Sequence, residues 1–378
     1  MVTTSVGEVE VWSVYGEDGE TGEWLCPVRE GWGLGPRETM SPLLEERLCF
    51  TATRTGSYEA AAEVARKWGA EADDSTIHAH AQRTGAWAEA LREERIERAL
   101  EPATRGEVVA EASRHLPAGG FSLVIMMDGW MIRERGGEWG AKPPEKQADR
   151  VEWHEMKSAI IFRLEDRGCT ESGRRFIVKK YYEAHRGDPF EFGRCLYAEA
   201  LRRGLNQAEH VYVVADGAVW IWNLVEDRFS DATGLLDFYH ASEHLWAIAR
   251  DLHGGEEEKA RRWVEPLLHR LKHGKETLVL RSLKDLLKLC DRLSAARSEA
   301  IRTGVEYFQS HRDHLHYQAV GAKGCPKGSG AMESTCSQFQ DRFKRTGQFW
   351  SPPGEKHLLL LELARRNGDW DEIWEVAA

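Results

Sequence analysis

The amino-acid sequence predicts an α/β protein: a mixed sheet with flanking helices and an inserted helical subdomain, preceded by an N-terminal helical domain. Three observations carry that expectation. Short, nearly continuous apolar runs bounded by turn residues recur from Phe121 onward, the pattern of buried strands. Asp188-Pro189-Phe190-Glu191 supplies an N-cap, a proline at the first helical position and a capping-box glutamate, and so opens a helix between the third and fourth runs. From Glu243 to about Leu315 the periodicity is helical, with Leu280, Leu283, Leu287, Cys290 and Leu293 at three- and four-residue spacing.

Residues 1–45, rich in Gly and Glu without sustained periodicity, are expected to form an irregular lead-in. Residues 46–115 read as a helical domain. Ser57 caps a helix with a small face of Ala61, Ala62 and Ala65 that ends near Trp68-Gly69, and Asp74 or Ser75 caps a second one running to Gly85. Two short helices joined by a Gly-containing turn suggest a helix-turn-helix, whose second helix offers His78, His80, Gln82 and Arg83 as possible base readers. Helical pairs also serve simply as packing units. A long charged helix from Ala86 to about Leu100 follows.

Residues 116–242 hold the strands: Phe121 to Met127, Met156 to Leu164, Arg175 to Tyr182, Val211 to Ala215, and Leu235 to Tyr239. The Asp216-Gly217 pair after the fourth run is equally a hairpin turn signal. Trp220 and Trp222 alternate as a strand face would. Three consecutive strands, a helix, then a strand and more helices is the element order of an RNase H-like α/β domain. Residues 243–320 are the helical insertion, and residues 321–378 complete the domain with a helix from near Ser329 and a last amphipathic helix containing Leu358 to Leu363.

The 378 residues carry a formal net charge of −11, unfavourable on average for a nucleic-acid partner. Residues 1–110 hold 11 Lys and Arg against 21 Asp and Glu, so most of the deficit lies there and later basic residues can still cluster. Seven cysteines without a C-x-x-C pair argue against a zinc knuckle and a disulfide framework. Neither a long apolar span nor a signal peptide is evident, so the expected setting is cytoplasmic, away from membranes. The sequence has no G-x-x-x-x-G-K-[ST], H-E-x-x-H or G-x-S-x-G motif.

Three carboxylates at element boundaries are the chemical signal: Asp128 after the first strand, Asp216 after the fourth, and Glu333 on the late helix. Oxygen ligands from separate elements suit Mg²⁺ or Mn²⁺, and two such ions are suited to in-line phosphoryl displacement. His240 either orients a carboxylate or phosphate, or is an ordinary hydrogen-bonded histidine at a strand-to-helix turn.

The segments MDGW (127–130), ADGAVWIW (215–222), LLDFYHASEHL (235–245) and GSGAMESTCSQFQDRFKRTGQFWS (328–351) together resemble bacterial insertion-sequence DDE transposases of the Kra group, related to the Mutator-like transposases. The resemblance extends from about Ser57 to the C-terminal helices. It implies an RNase H-like catalytic core in which Asp128, Asp216 and Glu333 are the metal-binding catalytic acids, and in which Asp237 and His240 form a supporting D-x-x-H pair. It also implies that Arg342 and Lys344, with the adjacent Arg345, meet DNA phosphates, with Trp350 closing that segment. The implied activity is cleavage at terminal inverted repeats and strand transfer into target double-stranded DNA, with two metal ions per site. A homodimer or higher synaptic oligomer, acting at the bacterial nucleoid, goes with it. A domesticated DNA-binding protein that keeps the fold, and a nuclease that hydrolyses without strand transfer, are the alternatives.

Overall fold

The computed structural model of the protein describes all residues except 13, 23, 36–37, 138, 141–149 and 378. The N-terminal stretch holds two antiparallel ribbons, β1 (Val2–Thr4) with β2 (Gly7–Val9) and β3 (Gly16–Glu17) with β4 (Trp24–Leu25). Helices α1 (Pro27–Glu30), α2 (Pro42–Arg54), α3 (Tyr58–Lys67), α4 (Asp74–Leu100) and α5 (Pro102–Ser113) follow. Next come β5 (Ser122–Arg135), β6 (Val151–Arg163), β7 (Arg167–Cys169), β8 (Arg175–Ile177), β9 (Tyr181–Arg186), α6 (Pro189–Arg202), β10 (His210–Ala215), α7 (Val219–Arg228) and β11 (Thr233–Leu236). The chain closes with α8 (Phe238–His253), α9 (Glu257–Lys272), α10 (Glu276–Leu286), α11 (Ala295–Ser310), α12 (Tyr317–Ala322), α13 (Gly330–Phe343), α14 (Pro352–Asn367) and α15 (Trp370–Ala377). Among the described residues, no helix is long and apolar enough to cross a membrane.

The chain divides into two compact units. One comprises Met1–Glu97, Met131–Glu155 and Gln338–Ala378; the other comprises Arg98–Trp130 and Met156–Ser337. These units cut across the boundaries expected from sequence, because β5, β6 and α13 each contribute residues to both.

In the second unit the described residues form a five-stranded mixed sheet in the order β11-β10-β5-β6-β9. β10 runs parallel to both β5 and β11, and β6 pairs antiparallel with β9. One face packs Leu123, Ile125, Met127, Val213 and Ala215 against Phe192 and Leu196 of α6 and Ile221 and Leu224 of α7. Residues of the opposite register, Val124, Met126, Tyr212 and Val214, are buried too. Burial on both faces explains why the first strand reads as an unbroken apolar run rather than an alternating one.

Three strand expectations need correction. Arg175 to Tyr182 is not one strand: β8 turns back on β7 through Gly173, whose φ of 81° suits a residue without a Cβ, and β9 then joins β6. Trp220 and Trp222 lie on α7, not on a strand face. Because β10 and β11 are parallel, the link between them must cross over, and a helix does so. Leu235 to Tyr239 is shortened to end at Leu236, where Asp237 becomes the N-cap of α8.

In the first unit α2 packs against both α3 and α14. Ser57 caps α3 by accepting the Ala60 N–H, as expected. The two helices foreseen over residues 74–100 are instead the single helix α4. Gly85 does not stop it; a Cβ there would lie 2.3 Å from the His357 Cβ and 2.8 Å from its Cα, so the glycine admits α14. Gly85→Ala is expected to destabilise the protein by about 2 kcal/mol despite its better helix propensity, because backbone on α14 must move. A thermal melt unchanged or raised by this substitution would contradict the close crossing.

Candidate active site

The ladder places three carboxyl-bearing residues side by side. Met127 pairs with Ala215, and Ala215 with Leu236, so Asp128, Asp216 and Asp237 occupy the next position on adjacent parallel chains, with neighbouring strands roughly 4.8 Å apart. The Asp237 N–H extends the ladder by donating to the Ala215 carbonyl at 2.7 Å. Asp128 was expected to follow its strand but lies within it, since β5 continues to Arg135. Asp216 does follow β10, and its Oδ1 accepts the Ala218 N–H at 2.9 Å, turning the chain into α7.

Asp237 differs from its neighbours in being fully buried. Its Oδ1 accepts from the N–H groups of Tyr239 and His240, capping α8. Its Oδ2 accepts from the Ser329 hydroxyl at 2.7 Å and from the Ser329 N–H. The Phe238 N–H donates to the Lys327 carbonyl at 2.9 Å, and a Cβ on Gly328 would lie 2.9 Å from the Tyr239 ring. The segment before α13 is thereby fixed to the start of α8. Asp237 joins these two segments, a link that sequence could not reveal because Asp237 and Ser329 lie 92 residues apart.

Glu333 is exposed on the first turn of α13, with its N–H bonded to the Ser329 carbonyl at 3.1 Å. Cys336, three residues on and therefore on the same helix face, is buried within electrostatic reach of the Asp128 carboxylate. Burial, reinforced by the charges of Asp128 and Glu333, pushes this thiol well above its ordinary range. Burial also raises the Asp128 carboxyl; Asp216 adds to the rise, while the Gly129 N–H, Cys336 and His240 offset it in part. His240 is half-buried, with Nδ1 3.8 Å from Glu243. Among the described residues, no group of three or more His, Cys, Asp or Glu side chains is spaced to hold a metal ion.

Tyr307 of α11 is the participant that sequence did not disclose. Its ring stacks on His244 at 3.7 Å and covers Gly217, where a Cβ would lie 2.5 Å from the hydroxyl oxygen. That oxygen is buried without a hydrogen-bond partner among the described residues. Burial and the charges of Asp216 and Asp237 hold the hydroxyl protonated, leaving it a donor.

Beside it, His314 stacks on Trp222 at 3.8 Å, and the Trp222 indole N–H donates to the Asp216 carbonyl at 2.9 Å. Burial, helped by His311 and His316 and opposed by Asp313, pushes His314 down to about 4. The unfolded chain therefore binds this proton more readily, so the contribution to stability is full above about pH 6.5 and is lost as pH falls towards 4. His314→Phe, which keeps a ring on Trp222, is expected to shrink the loss of melting temperature between about pH 7.5 and about pH 5 by a few degrees. An unaltered pH dependence would remove His314 from this role.

The residues expected to touch DNA lie in the first unit. His78 is exposed and sits edge-on to Tyr58 at 5.1 Å. Gln82 and Arg83 are engaged within the unit, Gln82 with His357 at 2.9 Å and Arg83 with Glu45 and Glu38. Arg342 departs from a phosphate-binding role: it is buried, donates to the Ala52 and Gly56 carbonyls at 3.3 Å and lies over Tyr58 and Trp350. Lys344 rests over Trp153 at 5.4 Å, and Arg345 is exposed.

The fold and these side chains define a mixed α/β protein with adjacent carboxylates at the ends of parallel strand pairings. Residues 167–375, more than half the chain, match the uncharacterised protein family UPF0236, and the chain belongs to that family. No curated protein matches the sequence. Among solved structures it is similar to the Drosophila P element transposase strand transfer complex, at 11% identity and a TM-score of 0.25, over 88% of this chain and 79% of that one. That superposition is too loose to define a shared fold.

Proposed function

We propose that this protein is a DDE transposase with an RNase H-like core, cutting the ends of an insertion sequence and joining them to target DNA. The observation that carries the reading is the register: Met127, Ala215 and Leu236 align, which sets Asp128 beside Asp216 at the ends of paired parallel strands. The transposase-like motifs on these elements support it, as does a family found in transposase-like proteins. Within the main sheet, β5, β6 and β9 precede α6, and the parallel-paired β10 and β11 follow it, the order expected of an RNase H-like core.

Asp128 and Asp216 stand together half-buried, and with Glu333 they are the oxygen donors that would hold divalent magnesium or manganese, although among the described residues no three such side chains are spaced to grip one ion as they stand. A pair of such ions, when bound, supplies activation of the attacking oxygen and stabilisation of the leaving one. The chain's own side chains do the rest. Asp237 fixes α8 and the entry to α13, and the Tyr307 hydroxyl is available to donate to a phosphate oxygen at Asp216.

The test is a strand-transfer assay of the full chain on DNA carrying the element's ends, with Mg²⁺ or Mn²⁺. Joined products support the proposal. Cleavage without joining assigns a nuclease instead, and end binding without either reaction assigns a DNA-binding role.

A further inference from the structure

The charge of this chain is unevenly placed in the helical segment. Between Lys259 and Arg302 there are twelve Lys and Arg against five Asp and Glu, in a protein whose net charge is −11. The stretch begins at the third residue of α9, just after the acidic first-turn pair Glu257 and Glu258, and runs through α10 to the middle of α11. The apolar stripes of α9 (Ala260, Val264, Leu267, Leu271) and α10 (Val279, Leu283, Leu286) are buried. At about 100° per residue, Arg262 lies on the opposite side of α9, and Arg281 and Lys284 on the opposite side of α10.

Some basic residues here are already neutralised. Arg261 pairs with Glu265 at 2.6 Å, Lys288 with Asp285 at 2.6 Å, and Arg297 donates to the Asp251 and Leu252 carbonyls. Arg262, Arg270, Lys275, Arg281 and Lys284 are exposed, and none forms an ion pair among the described residues. Arg270, in the last turn of α9, has an ordinary role in complementing the helix dipole. That role does not extend to Arg262 at the start of α9 or to Arg281 midway along α10. Asp285 lies within electrostatic reach of Arg281 and Lys284 but pairs directly with Lys288, so the exposed cations still outnumber their acidic neighbours, and in an otherwise acidic chain such a cluster suits a partner carrying regularly spaced negative charge.

We infer that the exposed basic sides of α9 and α10 are a docking surface for the phosphate backbone of double-stranded DNA. The choice of DNA over another polyanion rests on the function proposed above; the surface itself does not. Contacts of this kind are independent of base sequence and position the duplex rather than read it.

The experiment measures fluorescence anisotropy of a labelled DNA duplex with the full chain in chelator, so that binding is read apart from cleavage. The triple variant Arg262→Glu, Arg281→Glu, Lys284→Glu is compared with a charge-matched control, Arg114→Glu, Arg174→Glu, Lys179→Glu. These are exposed substitutions expected to leave the thermal melt within about 0.5 kcal/mol. The patch variant is expected to lose at least ~30-fold in affinity, and the slope of log affinity against log salt is expected to fall by about 3; the control should change neither by as much. Equal losses in both variants would reduce the effect to net charge and overturn the inference. Absence of duplex binding by the parent protein at low salt would overturn it too, as would tighter patch-dependent binding of an RNA duplex. Patch-dependent DNA binding by a protein that fails the strand-transfer assay leaves this surface standing and removes the proposed catalysis.

Discussion

Asp216→Asn is expected to lower strand transfer at least ~10³-fold, about 4 kcal/mol of transition-state stabilisation, without unfolding the protein. An asparagine keeps the oxygen that accepts the Ala218 N–H, and the bond from the Trp222 indole goes to the main-chain carbonyl, so the turn into α7 survives. What disappears is one negative charge beside Asp128. Asp128→Asn should behave likewise, since the amide oxygen still accepts the Gly129 N–H. Both variants should match or exceed the parent in thermal stability in chelator, because each removes the repulsion between adjacent carboxylates. Glu333→Gln, on an exposed turn, should match them in activity loss with no change in melting. Strand transfer at near-parental rate by any of the three would remove that residue from the catalytic set.

The second large effect concerns stability. Asp237→Ala is expected to cost about 3–5 kcal/mol, because it removes a buried carboxylate and leaves four donors unanswered: the N–H groups of Tyr239, His240 and Ser329, and the Ser329 hydroxyl. Ser329→Ala deletes a single bond and should cost about 1–2 kcal/mol. Asp237→Asn falls between, since an amide N–H₂ in place of Oδ2 would face the Ser329 N–H donor to donor. Urea denaturation gives the order of the three. Hydrogen exchange over residues 330–337 supplies the readout that general weakening would not: protection at the start of α13 should fall in Ser329→Ala more than elsewhere in the same unit. Uniform loss of protection would show that Asp237 only caps α8.

Much of this arrangement was legible in the sequence, for identifiable reasons. Runs such as Phe121 to Met127 and Val211 to Ala215 mark strands because burial on both faces leaves no polar alternation. Asp188 marks α6 because its side chain does accept the Phe190 and Glu191 N–H groups. What escaped depends on long-range packing. Gly85 reads as a helix stop until His357 is seen against it. Arg342 reads as a phosphate contact, yet its guanidinium satisfies carbonyls some 290 residues earlier in the chain. Tyr307, on an ordinary amphipathic helix, gives no local sign that its hydroxyl lies over Gly217. Local chemistry fixes caps and strands, whereas the partners of a buried polar group come from the whole chain.

The parallel pairing of Met127 with Ala215 also limits how this gene can change. Side chains alternate through the pleat, so losing or gaining one codon within β10 would carry the carboxylate of Asp216 through to the layer occupied by Phe192 and Leu224. Point replacements in that strand alter one contact at a time. An indel of a single residue there inverts inside and outside at once, so length polymorphism among descendants of this sequence should collect in the loops and spare residues 210–216.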